Sequence, residues 1–383
     1  MIHLGERLAT SIDSSQFQFF DFLDMVDRAV DSTQQIALID SFMLSHTAND
    51  SFPVVENDTV AHLVYYEPGT ESVALYSECN DWPATERDYY SGIGNTGFFH
   101  KSIPIESTAR IIYRIFVNGR LLLDPLNPDT YLSHSLIVGG CYVPPEEILV
   151  YDIPHGIIEE LPFDEPPFDE PRTLQVYLPP DYGESQQRYP VMYFHDGSGW
   201  LAAGYAANTL DYLIHHGQIR PIMAVFVDSR NRLEEYQQDV YLEDQSFSAH
   251  FADDLVPFID ANYRTSTSRT DRAIAGLSLG GAAALTFLLA ESDVFGKCAA
   301  YSPAIFDMAT ADLYREKKAP GAQVYLDAGT YEDGLYQSVR ELADIMWAKG
   351  YEGHFYPWHE GHYWSSWQAH LDIALKYFWP GPG

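Results

Sequence analysis

The distribution of apolar residues changes twice along the chain, and each change predicts a different kind of structure. Between residues 16 and 46 apolar side chains recur at helical spacing, which predicts two helices separated near Asp31 and Ser32. From residue 52 to 143 short alternating runs are separated by Gly, Pro, Asn and Asp, a pattern typical of a β-sandwich of about six or seven strands. We therefore expect a β-sandwich preceded by a short helical extension.

The rest of the chain alternates apolar strand-like runs with helical stretches. The apolar runs lie at residues 174–178, 191–194, 222–227, 273–275, 298–301, 324–326 and 354–356. The helical stretches lie at 207–216, 246–262, 280–291, 334–349 and 364–378. This alternation predicts an α/β domain, with a mainly parallel sheet covered by helices on both faces.

Proline and paired acids at Pro144-Pro145-Glu146-Glu147 interrupt the pattern, and we place the domain boundary there. The predicted domains are residues 1–145 and 146–383. A five-residue sequence occurs twice in tandem, at 162–166 and 167–171, and its proline and acid content predicts a rigid, solvated connection between early strands of the second domain.

The charge balance excludes some partners. Asp and Glu number 55 against 22 Lys and Arg, for a net charge of -33, which opposes binding to nucleic acid or an anionic membrane. No apolar run of about 18 residues is present, and the N-terminal residues lack a secretory pattern. Three widely spaced cysteines fit a reducing compartment. We expect a cytoplasmic protein, and the sequence indicates no oligomeric state.

The segment Gly276-Leu277-Ser278-Leu279-Gly280-Gly281 follows a short apolar run and precedes an alanine-rich helical stretch. This strand, turn and helix order is the context of a nucleophile elbow, in which small residues allow a tight turn that exposes a serine. Ser278 is therefore the predicted nucleophile. Such a serine requires an acid and a histidine later in the chain, in that order.

The predicted base is His362, in a polar loop after the last strand, with His359 and His354 as alternatives and His354 expected in the core. The three histidines lack the Cys or carboxylate neighbours that would complete a metal site, so we expect neither metal nor cofactor. For the acid, Glu332 and Asp333 both follow the strand at 324–326. We prefer Glu332, because Asp333 could cap the next helix.

Two backbone N–H groups are expected to hold the oxyanion of an acyl-transfer reaction. One belongs to Leu279, the residue after the nucleophile. The second comes from the loop Tyr193–Trp200, with Gly197 or Ser198 as the donor. Asp327, which is still within a strand, is expected to be structural.

Several segments together resemble the enterochelin (ferric enterobactin) esterase family, in the esterase D-like branch of the α/β hydrolases. They are Val176–Tyr182, His195–Gly197, Gly276–Gly281 and Gly361–His362 in the second domain, and Asn80–Trp82, Tyr113–Gly119 and Leu123–Pro128 in the first. The resemblance covers roughly residues 40 to 380, and it implies an immunoglobulin-like early-set domain before the hydrolase.

The resemblance implies a serine esterase that hydrolyses a small-molecule ester, the trilactone of a catecholate siderophore. It also places Arg230 and Arg232, with Glu234 nearby, against the anionic substrate. The family's Gly-Gly-His-Asp run is Glu360-Gly361-His362-Tyr363 in this chain.

Aromatic side chains are the expected stacking surface for an aromatic or sugar group. They are Trp200, Trp358, Trp364 and Trp367.

Three other functions remain open. A feruloyl or acetyl-xylan esterase would share this hydrolase branch, with Trp82 as either a glycan platform or, as we expect, a core residue of the sandwich. An inactive binding protein would cleave no ester, and an acyltransferase would use the same residues while excluding water.

Overall fold

The computed structural model describes residues 18–48, 52–80, 82, 85–164, 172–237, 246–305 and 309–382. The chain divides into two compact units, Met1–Val143 and Pro144–Gly383. Each unit is described by itself below.

The described part of the first unit contains helices followed by antiparallel sheets. The helices are α1 (Phe19–Asp27) and α2 (Ser32–Thr47), and the strands are β1 (Val54–Glu56), β2 (Val60–Tyr66), β3 (Val73–Ser77), β4 (Ser91–Gly92), β5 (Phe98–Pro104), β6 (Arg110–Val117), β7 (Arg120–Leu122), β8 (Thr130–Tyr131) and β9 (His134–Val138). One sheet has the order β1-β2-β5-β4, and the other has the order β3-β6-β9-β8 with β7 paired to β6.

The two helices separate where the sequence predicts, because Asp31 caps α2. Its carboxylate accepts a hydrogen bond from the backbone N–H of Gln34 at 2.9 Å. The helices pack on the four-stranded sheet through an aromatic cluster, in which the rings of Phe22 and Phe42 stack at 4.2 Å and both contact Phe98 of β5. The helical extension is therefore part of the core of the first unit.

Trp82 is not the buried core residue that the sequence suggests. Its side chain is half-buried, with its ring 4.0 Å from that of Tyr76 and 6.0 Å from that of His134. These three aromatic side chains are all partly accessible to solvent.

The second unit is built on an eight-stranded sheet with the order β10-β11-β13-β12-β14-β15-β16-β17. Its strands are β10 (Ile157–Phe163), β11 (Arg172–Leu178), β12 (Val191–His195), β13 (Met223–Val227), β14 (Arg272–Leu277), β15 (Lys297–Tyr301), β16 (Gln323–Gly329) and β17 (Glu352–Trp358). Strands β10 and β11 are antiparallel to their neighbours, and the others are parallel.

Helices cover both faces of this sheet. They are α3 (Gly197–Ala202), α4 (Ala206–His215), α5 (Ser246–His250), α6 (Val256–Asn262), α7 (Ser278–Ala290), α8 (Ala309–Glu316), α9 (Leu335–Ala348) and α10 (Trp364–Phe378). Alternate residues of the central strands enter two separate apolar clusters, one with α5 to α9 and the other with α3, α4 and α10. This two-sided burial explains why the strands read as continuous apolar runs.

Two elements of the second unit differ from the sequence prediction. Residues 162 and 163, expected in a solvated connection, belong to β10, where Phe163 pairs with Arg172 of β11. The remainder of the tandem repeat, 165–171, lies outside the described residues. The glycine-containing segment after β12, expected as a loop, begins the short helix α3.

The parallel strands bring the predicted site residues to one edge of the sheet. Loops that follow β12, β14, β15, β16 and β17 all leave from the carboxyl ends of parallel strands. In open α/β sheets this edge is where ligands bind. Among the described residues, no helix is both long enough and apolar enough to span a lipid bilayer.

His195, at the end of β12, is a fully buried histidine in an aromatic cage of Tyr236, Phe287 and Phe251. Neither ring nitrogen has a hydrogen-bond partner among the described residues. Burial, and secondarily the positive charge of Arg232, lowers the pKa of His195 to about 3. The folded protein therefore keeps this imidazole neutral at mildly acidic pH.

We expect His195 to make stability fall as the pH falls. An unfolded histidine takes up a proton near pH 6.5 and the folded one near 3, so the unfolded chain binds more protons between these values. From pH 7 to pH 5 the wild type should lose about 2 kcal/mol more unfolding free energy than His195→Leu. Urea unfolding followed by tryptophan fluorescence measures this loss. The exposed His354 is the control, and His354→Leu should behave as wild type. Equal losses in wild type and His195→Leu would contradict the prediction.

Candidate active site

The turn between β14 and α7 exposes a serine in a strained conformation. Ser278 has φ = 53°, in the left-handed region that non-glycine residues rarely adopt. A Cβ atom at Gly276 would overlap the carbonyl oxygen of Gly280, and one at Gly280 would lie 2.9 Å from Oδ2 of Asp196. Close approach of the backbone therefore requires glycine at position 276, and the absence of a side chain at Gly280 leaves room for the Asp196 carboxylate beside the turn.

The imidazole of His362 lies between this serine and a carboxylate. Its Nε2 is 2.9 Å from Oγ of Ser278, and its Nδ1 is 2.7 Å from Oε2 of Glu332. Because an ionised carboxylate only accepts hydrogen bonds, the network assigns the proton to Nδ1, which leaves Nε2 to accept the serine hydroxyl. The ring of Trp367 packs perpendicular to the imidazole at 5.0 Å and restricts its rotation.

Glu332 rather than Asp333 contacts the histidine. Its side chain is buried, and its second oxygen, Oε1, accepts hydrogen bonds from Oγ of Ser302 and the N–H of Gly329, both at 2.6 Å. Asp333 is exposed, and the residue that caps α9 is Gly334. The cap expected for Asp333 is therefore absent from this described helix end.

The alternative histidines and acid have other surroundings. His354, expected in the core, is exposed on the edge strand β17, where its ring packs against Tyr356 and Tyr377. His359 is half-buried in the same loop as His362. Asp327 is buried and accepts hydrogen bonds from Tyr325 and the N–H of Ser302, and burial raises the pKa of its carboxyl to about 7.

Of the expected oxyanion donors, Ser198 is excluded by its own hydrogen bond. Its N–H donates to Oδ1 of Asp228 at 2.9 Å, as does its hydroxyl at 3.0 Å. Gly197 is buried at the first position of α3, directly after Asp196, whose φ of 57° turns the chain at the end of β12. Leu279 lies in the first turn of α7, where backbone N–H groups have no helical acceptor.

Arg232 is held by a carboxylate beside the nucleophile turn. Its Nε and Nη2 each donate to an oxygen of Asp196 at 2.9 Å, a two-point ion pair. Burial raises the pKa of Asp196, and Arg232 acts in the opposite direction. Arg230 and Glu234 are exposed on the same segment. Asp196, which the sequence did not single out, is thus the charge partner of Arg232.

The tryptophans differ in their access to the site. Trp200 is 0% exposed and packs against Phe194 and Tyr301, so the prediction that it stacks on substrate is wrong. Trp364 is half-buried, with its ring edge-on to those of Trp200 and Trp367. Trp364 therefore keeps the accessible surface that the other two lack.

Ser302 and Asp196 are site residues that the sequence analysis missed. Each directly follows a buried parallel strand, which is the one sequence signal that could have found them.

The fold and this edge of the sheet define the second unit as an α/β hydrolase. A model of the family described as "Putative esterase" matches residues 166–378, more than half of the chain. The chain belongs to this esterase family. The prediction of an esterase is confirmed at the level of this family.

One named relative matches this chain over part of its own length. An endo-1,4-beta-xylanase/feruloyl esterase of Xylanibacter ruminicola is 26% identical over 253 residues, which are 63% of this chain and 34% of that protein. The chain thus spans about a third of that relative's length.

Two solved structures share the fold. The ferric enterobactin esterase of Salmonella typhimurium has a TM-score of 0.72 at 16% identity, over 85% of this chain and 95% of that one. A ferulic acid esterase from Anaeromyces mucronatus has a TM-score of 0.52 at 17% identity, over 61% and 95%.

The turn that carries Ser278 should not tolerate a side chain at Gly276. Gly276→Ala places a Cβ against the carbonyl of Gly280, so we expect a destabilisation of about 1–3 kcal/mol and loss of esterase activity. Gly183→Ala is the matched control, because a Cβ there meets nothing within 4 Å. Thermal unfolding and hydrolysis of p-nitrophenyl acetate measure both effects. Wild-type Tm and activity in Gly276→Ala would show that the turn is not as tight as described.

Proposed function

We propose that this chain is a serine esterase in which Ser278, His362 and Glu332 form a catalytic triad. The observation that carries the proposal is the continuous set of contacts from Oγ of Ser278 through both ring nitrogens of His362 to the buried carboxylate. These are the distances at which a base can take the nucleophile's proton while an acid stabilises the resulting imidazolium.

The reaction follows from this geometry in two steps. His362 Nε2 takes the hydroxyl proton as Oγ of Ser278 bonds to the ester carbonyl carbon, and the carbonyl electrons move to oxygen. N–H groups of Leu279 and Gly197 hold that oxyanion at the head of α7, where the helix dipole also favours negative charge. The imidazolium then protonates the leaving alcohol oxygen as its bond to carbon breaks. In the second step the same histidine takes a proton from a water, whose oxygen bonds to the acyl carbon. The bond from that carbon to Oγ then breaks, the imidazolium returns the proton to Oγ, and the acid leaves.

We propose a catecholate siderophore ester as the substrate and an immunoglobulin-like early-set domain as the first unit. The second unit holds residues 144–383, or 240 of 383, about 63% of the chain. A match to ferric enterobactin esterase over 85% must therefore extend into the first unit, whereas a match over 61% need not. Half-buried Trp364 is an aromatic side chain with surface available to the catechol ring, as is Trp358, whose ring stacks on that of His370.

A feruloyl-type esterase is the second candidate, and the pairing of Arg232 favours it. Because the Asp196 carboxylate pairs with Nε and Nη2 of Arg232, it reduces the positive charge that this side chain offers to an anionic iron–catecholate. A neutral aromatic ester has no need of that charge. The sequence match to a xylanase/feruloyl esterase points the same way.

Substrate comparison separates the two candidates. We expect kcat/KM to be larger for ferric enterobactin and for a linear catecholate ester than for methyl ferulate. Cleavage of methyl ferulate alone would discard the siderophore assignment. Failure to cleave any of the three or p-nitrophenyl acetate would instead favour an inactive binding protein, and Ser278→Ala is the blank for each assay.

The acid of the triad can be tested by a pair of neighbouring substitutions. Glu332→Gln removes the charge that fixes the tautomer of His362, and we expect kcat for p-nitrophenyl acetate to fall about 10³-fold or more. Asp333→Asn, at the exposed neighbour, should stay within about twofold of wild type. The reverse result would assign the role to Asp333.

A further inference from the structure

Ser302 lies in a strained turn directly after β15, the strand next to the one that carries the nucleophile. It is 1% exposed, and its φ of 42° places it in the left-handed region. Non-glycine residues there cost about 1–3 kcal/mol and persist where their surroundings impose them. Its backbone N–H, which donates to Oδ1 of the buried Asp327 at 3.0 Å, is one such constraint.

The hydroxyl of Ser302 has a fixed direction. Nε1 of Trp367 lies 3.1 Å from Oγ of Ser302, and an indole N–H can only donate. Oγ therefore accepts from Trp367 and turns its own proton toward Oε1 of Glu332, 2.6 Å away. A hydroxyl that was free to rotate would not direct its proton to this one carboxylate oxygen.

The two carboxylate oxygens of Glu332 have different hydrogen-bond partners. Oε1 accepts from Ser302 and from the N–H of Gly329, whereas Oε2 faces Nδ1 of His362. Two donors at one oxygen fix the plane of the carboxylate, and they leave the other oxygen to the histidine. Hydrogen bonds also offset the cost of burying this charge.

The same turn contacts the nucleophile. The N–H of Ala304 donates to the carbonyl of Ser278 at 2.9 Å. A Cβ at Gly281 of α7 would lie 3.2 Å from Cα of Pro303. The segment Ser302–Ala304 thus touches the turn that carries the serine and the carboxylate that orients the histidine.

We propose that Ser302 is a positioning residue, whose hydroxyl, directed by Trp367, holds the Glu332 carboxylate in the orientation that His362 requires. The inference rests on the proposed function, because it needs Glu332 to be the acid of the triad. It assigns Ser302 no contact with substrate.

The test separates the hydroxyl from the turn. Ser302→Gly removes the hydroxyl, while glycine adopts φ = 42° without strain, so the backbone of the turn should be retained. We expect kcat for p-nitrophenyl acetate to fall about 10- to 100-fold with KM nearly unchanged, because a hydrogen bond to a buried charge is lost. Ser302→Ala should show the same loss of kcat, and kcat of this variant is the measurement to use if the glycine variant folds poorly.

A double-variant cycle identifies the partner. If Ser302 acts through Glu332, adding Ser302→Gly to Glu332→Gln should cost no further activity. Losses that multiply would overturn the proposal, as would wild-type kcat in Ser302→Gly, which would make Ser302 only a turn residue. Wild-type activity in Glu332→Gln alone would instead contradict the proposed triad, so the two failures are distinguishable.

Discussion

The buried carboxylate of Glu332 is the interaction around which the candidate site is organised. A charged group removed from water must be compensated by hydrogen bonds, and this one accepts three, from His362, Ser302 and the N–H of Gly329. His362 and Ser302 lie after the parallel strands β17 and β15, and Gly329 is the last residue of β16, which lies between them in the sheet. The strand order of the sheet thus determines which residues can meet at the acid, and through it the position of the imidazole.

Three residues with strained backbone lie at this same edge. Asp196, Ser278 and Ser302 all have positive φ, and each directly follows one of the adjacent strands β12, β14 and β15. Such conformations are stable only where the surrounding packing imposes them. Two apolar clusters bury both faces of these strands, and this rigid support allows three strained turns to lie side by side. Preorganised side chains and N–H groups at a sheet edge are what acyl transfer requires.

Local signals predicted the parts of the site that are local. The glycines around Ser278 and the alternation of strands and helices can be read from short stretches of sequence. The order of serine, acid and histidine can be read from their positions along the chain. Helix α10 has the bounds that the sequence predicts. Trp200 was misassigned because an aromatic residue has the same sequence signature in a core as on a stacking surface.

The rest depends on pairs distant in sequence. Asp196 and Arg232 are 36 residues apart, and Ser302 and Glu332 are 30 apart, so no window contains both members. The short strand β10 was missed because its proline and acids favour a loop, and its pairing with β11 overrides that preference. Tertiary contacts of this kind decide which polar residues near a sheet edge take part in the site.

Covalent labelling of Ser278 tests the proposed triad at its reactive pair, because the labelling depends on the serine and on His362 together. The full chain is treated with an alkyl fluorophosphonate, the adduct is located by peptide mass spectrometry, and the experiment is repeated with His362→Ala. We expect a single adduct, on Ser278, and we expect it to be lost when the histidine is removed. An adduct on another residue, or equal labelling of Ser278 without His362, would contradict the proposed triad.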